Sequence, residues 1–549
     1  MRKFVALSVV TMSVFLFIMF RRLSGVFLPL VVVILTLLST AGIMAAAGAA
    51  IKVPTQILPS FLLAVCIGAS VHILAIFYHR LRQNSDKEEA IVYAIGHSGL
   101  AIFMTSVTTA GGLLSFSTAD LAPIADIGRF ASIGVMISLV YTIVLLPALL
   151  ALVPIKARNP KEEDGKQTAT LMDRFLTGIG NLSTGHPYII LVIGALVIIL
   201  STASASKIRF SHHVLGWFPE KNYIRMATEK IDRELRGSIS LEVVIDTGKE
   251  NGLYNPDILN RLENAAAYLE TLETESVFIG KAWSLTTILK EINQALNENR
   301  SDYYTVPQNR ELVAQEFLLF ENSGSDDLED IVDSQFSTAR FTIKVPFTDA
   351  IKYSRLLNTV KHYFRENFPE AKVTITGMIA LLSRTISNAI KSMAKSYVMA
   401  LGIITILMII LIGRVRIGFL SMIPNLAPIL LTLGIMGWMN IPMDLFTMMV
   451  GSIAIGLAVD DTIHFMHNFR RYYENSGDPR AAVHETLHTT GRAMLVTSIV
   501  LSIGFYIFTF ASMNNLYNFG LLTAFTITMA LVSDYFIAPA LMVVVNRKK

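Results

Sequence analysis

DLFTMMVGSIAIGLAVDDTIHFMHN, residues 444–468, is the stretch from which the rest of the chain can be read. It is apolar along most of its length, and about twenty residues at 1.5 Å each are enough to cross the hydrocarbon of a bilayer. Within it Asp460 and Asp461 stand side by side, and His464 follows one turn later. A carboxylate at the bilayer centre costs about 2.5–3.5 kcal/mol, so both acids must face protein or water. Desolvation and mutual repulsion oppose ionising the two together, which suits a site that loads a proton on one side and releases it on the other. His464 is four residues from Asp460 and three from Asp461, within reach of either on a helix. The plainer reading is a polar cluster stapling helices, but stapling seldom calls for two acids.

Similar runs recur. The spans read as 4–20, 26–48, 58–79, 98–117, 128–153, 187–205, 392–412, 417–438, 444–468, 491–511 and 517–545, eleven in all. Only 16% of the 549 residues are charged, against about 25% in soluble domains, and the deficit is confined to these regions. Residues 206–390 read as soluble protein. The net charge of +4 comes from basic residues beside the spans, which argues against nucleic-acid binding. The single cysteine, Cys66, excludes a disulfide within the chain.

Lys and Arg collect in one set of loops: Arg21-Arg22; Arg80, Arg82 and Lys87; Lys156, Arg158, Lys161 and Lys166; Arg414 and Arg416; Arg470, Arg471 and Arg480; and the tail Arg547-Lys548-Lys549. The opposite loops contain only Lys52. The basic set is therefore cytoplasmic and segment 206–390 lies outside. Arg2-Lys3 breaks the pattern. A signal peptide over 4–18 would explain it, but Arg21-Arg22 follows and no small-residue cleavage site does.

A shift of 392 superimposes the two halves without a gap from 72 to 147. His72 meets His464, Gly99 meets Gly491, Thr105-Ser106 meets Thr497-Ser498, Gly112 meets Gly504 and Pro147 meets Pro539. Loop orientation is shared, so the repeat is parallel. The second copy has a helix, a soluble segment and five helices, whereas the first has the five alone. Lys3 falls against Lys395, inside a helix, which accounts for the misplaced charges. The expectation is a lost or missing first helix and domain. The first-copy counterpart of the acidic turn is Gly68-Ala69-Ser70-Val71-His72, without an acid, so any relay is asymmetric. Thr497, Ser498 and Ser502, with Thr105, Ser106, Thr108 and Thr109, are candidates to hydrogen-bond the acids, or else pack helices. Asp534 is a third acid within a span and stands alone there.

The soluble segment alternates strands (240–246, 277–283, 339–346, 371–375) with helices (255–272, 284–296, 353–368), as in a small α+β or α/β domain. Tyr303, Tyr304 and Phe317–Phe320 are expected in its core. His212-His213 has no third ligand at a metal spacing and is expected at the surface. No phosphate-binding loop, metalloprotease helix or nucleophile elbow occurs, so no enzymatic reaction, catalytic residue, metal or cofactor is expected.

Ile423-Pro424-Asn425-Leu426-Ala427-Pro428, Gly456–His464, Gly491-Arg492-Ala493 and Thr497-Ser498 together resemble the resistance-nodulation-division superfamily, in particular its hydrophobe/amphiphile efflux branch related to the mycobacterial MMPL lipid exporters. Leu285–Leu296 and Thr376-Gly377 also fit. The resemblance implies twelve helices, two porter domains and proton antiport through acids on the central helices. It carries over here as a proton relay of Asp460, Asp461 and His464, supported by Thr497, Ser498, Thr105, Ser106 and His72.

The expected fold is a polytopic α-helical membrane protein of about eleven spans with one α+β periplasmic porter-like domain. Its parts are 1–155 (first bundle), 156–186 (cytoplasmic linker), 187–205 (helix), 206–390 (porter-like domain) and 391–549 (second bundle). The expected activity is gradient-driven export of lipids or other amphiphiles from a bacterial inner membrane, powered by protons without a cofactor. The alternatives are a non-transporting, sterol-sensing-like lipid binder and an inactive truncated transporter. The partner classes are a hydrophobic or lipid substrate, the membrane, a second copy, a periplasmic adaptor, or a chain supplying the missing half.

Overall fold

Hydrocarbon offers no water to backbone N–H and C=O groups, so long apolar runs close their hydrogen bonds within helices. The computed structural model describes residues 2–546 except 53, 85, 156–170, 275–276 and 326, and it is helical at each expected span. Lys156, Arg158, Lys161, Lys166 and Arg547-Lys548-Lys549, read above as cytoplasmic charges, lie outside the described residues. Two units separate, residues 211–388 and the remainder.

The remainder begins with α1 (Arg2–Phe20), α2 (Ser24–Ala46), α3 (Leu58–Asn84), α4 (Lys87–Leu114), α5 (Ala122–Val140), α6 (Leu146–Leu152), α7 (Leu171–Gly185) and α8 (Pro187–Ala205). A π-turn at Tyr141–Leu145 joins α5 to α6. Ten described helices are long and apolar enough to span a membrane. The eleventh expected span, at 4–20, is shorter, with its apolar part at Ala6–Phe20. The supposed linker 156–186 contains α7, an amphipathic helix that buries Leu176 and Ile179 and pairs Asp173 with Arg492.

In the 211–388 unit come α9 (Tyr223–Glu234), β1 (Ile239–Asp246), α10 (Pro256–Glu270), β2 (Glu273–Thr274), β3 (Val277–Phe278), β4 (Lys281–Trp283), α11 (Leu285–Leu296), α12 (Arg310–Asn322), β5 (Thr338–Val345), α13 (Tyr353–Asn367) and β6 (Lys372–Thr376). The sheet order is β4-β5-β1-β6, and the pairings are antiparallel, which makes the unit α+β. Strand side chains alternate. Leu241, Val243 and Ile245 of β1 join Phe341 and Ile343 of β5 in a core with Leu259, Leu262, Val360 and Phe364 of α10 and α13. Glu242, Arg340 and Thr342 occupy the other face, where Arg340 donates to both Glu242 oxygens at 2.9 and 3.0 Å. Burial by itself would raise the Glu242 carboxyl, but Arg340, Thr342 and Ser240 outweigh it and hold the group below its usual range.

Three expectations change here. Residues 277–283 form two short strands rather than one. They break at Gly280, whose N–H donates to the Lys344 carbonyl at 2.9 Å and where a Cβ would collide with the Arg236 carbonyl. His212 is not a surface residue: it is 4% exposed, its backbone N–H donates to Asp349 at 2.9 Å, and its ring meets Trp217 edge-on. Burial pushes that imidazole down to about 4. Of the aromatic-leucine run, Phe317 is in the core, whereas Leu318 and Leu319 are more than half exposed.

The chain continues as α14 (Met378–Ile412), α15 (Val415–Leu420), α16 (Met422–Trp438), α17 (Leu445–Ser476), α18 (Pro479–Thr486), α19 (Arg492–Tyr506) and α20 (Asn514–Val545). α8 packs on α16 and α20, while α17 packs on α4, α16 and α20. Small residues permit the closest approach: a Cβ on Gly434 would lie 2.6 Å from Ser201, and one on Gly437 would lie 2.0 Å from the Ser204 carbonyl. The Ser204 hydroxyl donates to the Gly434 carbonyl at 2.8 Å. The repeat offset of 392 pairs Gly434 with Gly42 on α2, where no atom comes within 4 Å of the same Cβ position.

Candidate proton-relay site in the helix bundle

α17 starts at a capping box. Asp444 accepts from the amides of Phe446 and Thr447 at 3.0 and 2.8 Å, and Thr447 Oγ1 accepts from the Asp444 amide at 2.7 Å. Such a cap fixes where the helix begins and so the rotation of every residue beyond it. The spanning part of α17 is 89% buried inside the protein. That lowers the cost of the acids, because Asp461 is 7% exposed and the Asp460 side chain 22%, so most of each faces other helices.

The adjacent carboxylates point in different directions, as successive residues on a helix must. Asp461 Oδ2 accepts from the Ser498 hydroxyl of α19 at 2.5 Å. Its Oδ1 is buried with no hydrogen-bond partner among the described residues. Asp460 lies 3.8 Å from His464 Nε2 and interacts with His72 of α3 and Thr105 of α4. His464 stacks on His72, with ring centroids 3.9 Å apart and an interplanar angle of 8°. These two histidines are counterparts under the 392-residue shift, so the internal pseudo-twofold axis passes between their rings.

The same symmetry exposes the asymmetry of the site. The mate of the Asp460 and Thr105 pair is Gly68 with Thr497, where a Cβ on Gly68 would meet Thr497 Cγ2 at 4.0 Å. The acid is replaced by glycine and its neighbouring threonine is retained. Thr497 itself donates within its own helix, to Ala493 and Met494 at 3.0 Å. Thr109 ties α4 to α17 through the Gly456 carbonyl at 3.0 Å. Ser106 is buried, but no bond from it to either acid occurs among the described residues. Beside the acids a pocket of about 10 Å³ is lined by Asp460, Asp461, Ser498 and Thr526 among others, enough space for about one water molecule.

Asp534 is not alone, contrary to the reading from sequence. Thr462 Oγ1 lies 2.5 Å from Asp534 Oδ1 and 2.8 Å from Asn425 Oδ1, and Asn425 Nδ2 donates to the Ser421 carbonyl at 3.0 Å. A threonine hydroxyl has one proton, and here these two side-chain acceptors compete for it with the more distant Ala458 carbonyl at 3.5 Å, so it satisfies one at a time. A proton on Asp534 completes the chain from carboxyl to hydroxyl to amide oxygen. Besides Asp534 itself, the sequence signal for this network is the Asn425 of the Ile-Pro-Asn-Leu-Ala-Pro stretch, which sits mid-span without another use. No group of three or more His, Cys, Asp or Glu suited to a metal ion is found among the described residues.

Comparison with known proteins agrees with this architecture. Over 391 residues the chain is 22% identical to a Methanocaldococcus jannaschii protein named as a membrane protein, covering 69% of this chain and 95% of that one. The model of the MMPL family matches residues 1–182 and 338–549, both helix bundles together with the end of the soluble unit. The two matched regions hold Asp460, Asp461, Asp534 and the paired histidines, and the chain belongs to the MMPL family.

Proposed function

We propose that this chain is a proton-motive-force-driven exporter of lipids or other hydrophobic and amphiphilic compounds, acting in a bacterial inner membrane with residues 211–388 on the periplasmic side. MMPL family members are transporters rather than enzymes. The observation that carries the reading is the pair Asp460 and Asp461 within the most enclosed helix of the bundle, each facing a different neighbouring helix.

In this reading Asp461 and Asp460 exchange protons through His464 and the adjoining one-water pocket, while Ser498 and Thr105 hold the carboxyls in place. Thr462 links the acids' helix to Asp534 on α20. Loading and release change the hydrogen bonds between α17 and the helices around it, so protonation biases their packing. The relay is one-sided, because the first bundle has Gly68 where the second has Asp460.

The test is efflux from proteoliposomes under an imposed pH gradient. Asp461→Asn and Asp460→Asn should each abolish gradient-dependent movement of a fluorescent lipid while yield and unfolding behaviour stay at wild-type level. Undiminished efflux in both variants would remove the relay.

A further inference from the structure

The outer face of the soluble sheet, away from α10 and α13, is only partly covered. A cleft of about 800 Å³ opens there between α11, α12 and the strands β4 and β5. Its walls are largely apolar: Trp283, Ile288 and Ile292 on one side, Leu319, Phe320 and Ile331 on the other. Leu319 is 55% exposed and Leu296, at the cleft's edge, 54%. Leucines left open on both walls of a concavity are costly in water, and this volume lies within the range of ligand sites.

The polar groups of the cleft differ in kind. Glu291, Asp327 and Asp330 line it and are exposed to solvent. Arg340 is the one cation among the lining residues; its guanidinium is engaged by both oxygens of Glu242, and it also donates to the Asp330 carbonyl at 3.4 Å and attracts the Asp330 carboxylate. Glu242 is 7% exposed and also accepts from Thr342 at 2.6 Å, so the base of the cleft is internally neutralised. With Arg340 offset by Glu242, Glu291, Asp327 and Asp330 leave a net negative charge around an apolar trough.

We infer that this cleft is a binding site for cationic amphiphiles, with the alkyl part between α11 and α12 and the positive head against Glu291, Asp327 and Asp330. An anionic amphiphile would meet three like charges and find the only guanidinium occupied. The site rests on the export reading only for its purpose, since occupancy itself requires no transport.

The experiment uses the full chain in phosphatidylcholine nanodiscs. Trp217→Phe and Trp438→Phe leave Trp283 as the sole indole, placing the reporter in the cleft wall. Decyltrimethylammonium should give a saturable change in Trp283 emission, and decyl sulfate should bind at least tenfold more weakly. An exposed charge contact is worth about a factor of two, so replacing all three acids (Glu291→Gln, Asp327→Asn, Asp330→Asn) should weaken the cation roughly tenfold. The same change should leave neutral decyl maltoside unaltered, and Leu319→Ser should weaken all three probes. Equal or tighter binding of decyl sulfate, an unchanged affinity in the triple variant, or a non-saturating response like that of the lipid alone would overturn the assignment. Asp461→Asn should bind decyltrimethylammonium as the parent does. If that variant still exports while the cleft binds its cation, the proton relay through Asp461 falls and the cleft stands. If it ceases to export while no probe saturates, the cleft falls and the transport reading stands.

Discussion

Replacing Glu316 should make the soluble unit more stable in alkaline solution and leave it unchanged in acid. Glu316 lies on α12 between the core residues Val313 and Phe317; it is 1% exposed, and its Oε2 has no hydrogen-bond partner among the described residues. Burial pushes its carboxyl from 4.5 up to about 7. Because the folded form holds the proton more tightly, stability is full below pH 4.5. It declines as pH rises toward 7, and the loss is complete above that. At 1.36 kcal/mol per pH unit the shift amounts to about 3 kcal/mol, or about 1–3 once local relaxation is allowed. Hydrogen exchange of the full chain in nanodiscs, corrected for intrinsic rates, reads this through the amides of Leu241, Val243 and Ile343. Their protection should fall about tenfold or more between pH 4.5 and 8, and Glu316→Gln should remove most of that fall. The same pH dependence in wild type and variant would show that the buried carboxyl is not its source.

Thr462→Val removes the hydroxyl shared by Asn425 and Asp534, leaving both oxygens short of a partner. The expected cost is about 1–2 kcal/mol in detergent-resistant unfolding, together with reduced export. Gly434→Leu must displace Ser201 of α8 and should cost about 2 kcal/mol or more. Gly42→Leu, its counterpart in open space, should stay within about 0.5 kcal/mol, and side-by-side thermal unfolding checks both. Asp444→Ala loses the side-chain acceptor that caps α17 and should lower the unfolding temperature by the equivalent of about 1 kcal/mol.

Much of the bundle could be read from the sequence because lipid imposes one solution on a long apolar run, and because Gly, Pro, His and Thr-Ser kept one register over the repeat. Asp460, Asp461 and His464 were visible for the same reason: charges in an apolar run stand out. The partners were harder. Ser498 was one of several hydroxyls on its helix, and only the rotation of α17 against α19 selects it. Asp534 looked solitary because Thr462 and Asn425 lie on two other helices, far away in sequence. In the soluble unit the alternating strands β1 and β5 were evident, but a run of apolar residues does not say which face it presents. Leu318 and Leu319 were therefore assigned to a core that Phe317 joins and Phe320 packs against. The break at Gly280 depends on the Arg236 carbonyl arriving from elsewhere. Helix α7 did leave a trace in the spacing of Met172, Phe175, Leu176 and Ile179, within a segment read as linker because of its charged first half.

The stacked rings of His72 and His464 carry a constraint of their own. A side chain lying on a dyad has its own duplicate as its neighbour, so the contact is between like and like. Any alteration in one half is met immediately by the unaltered group of the other, and a fitting replacement needs two coordinated changes. A few ångströms from the axis no such reciprocity operates. There one half holds Asp460 and the other Gly68, and the two copies were free to specialise, one toward charge and the other toward empty space.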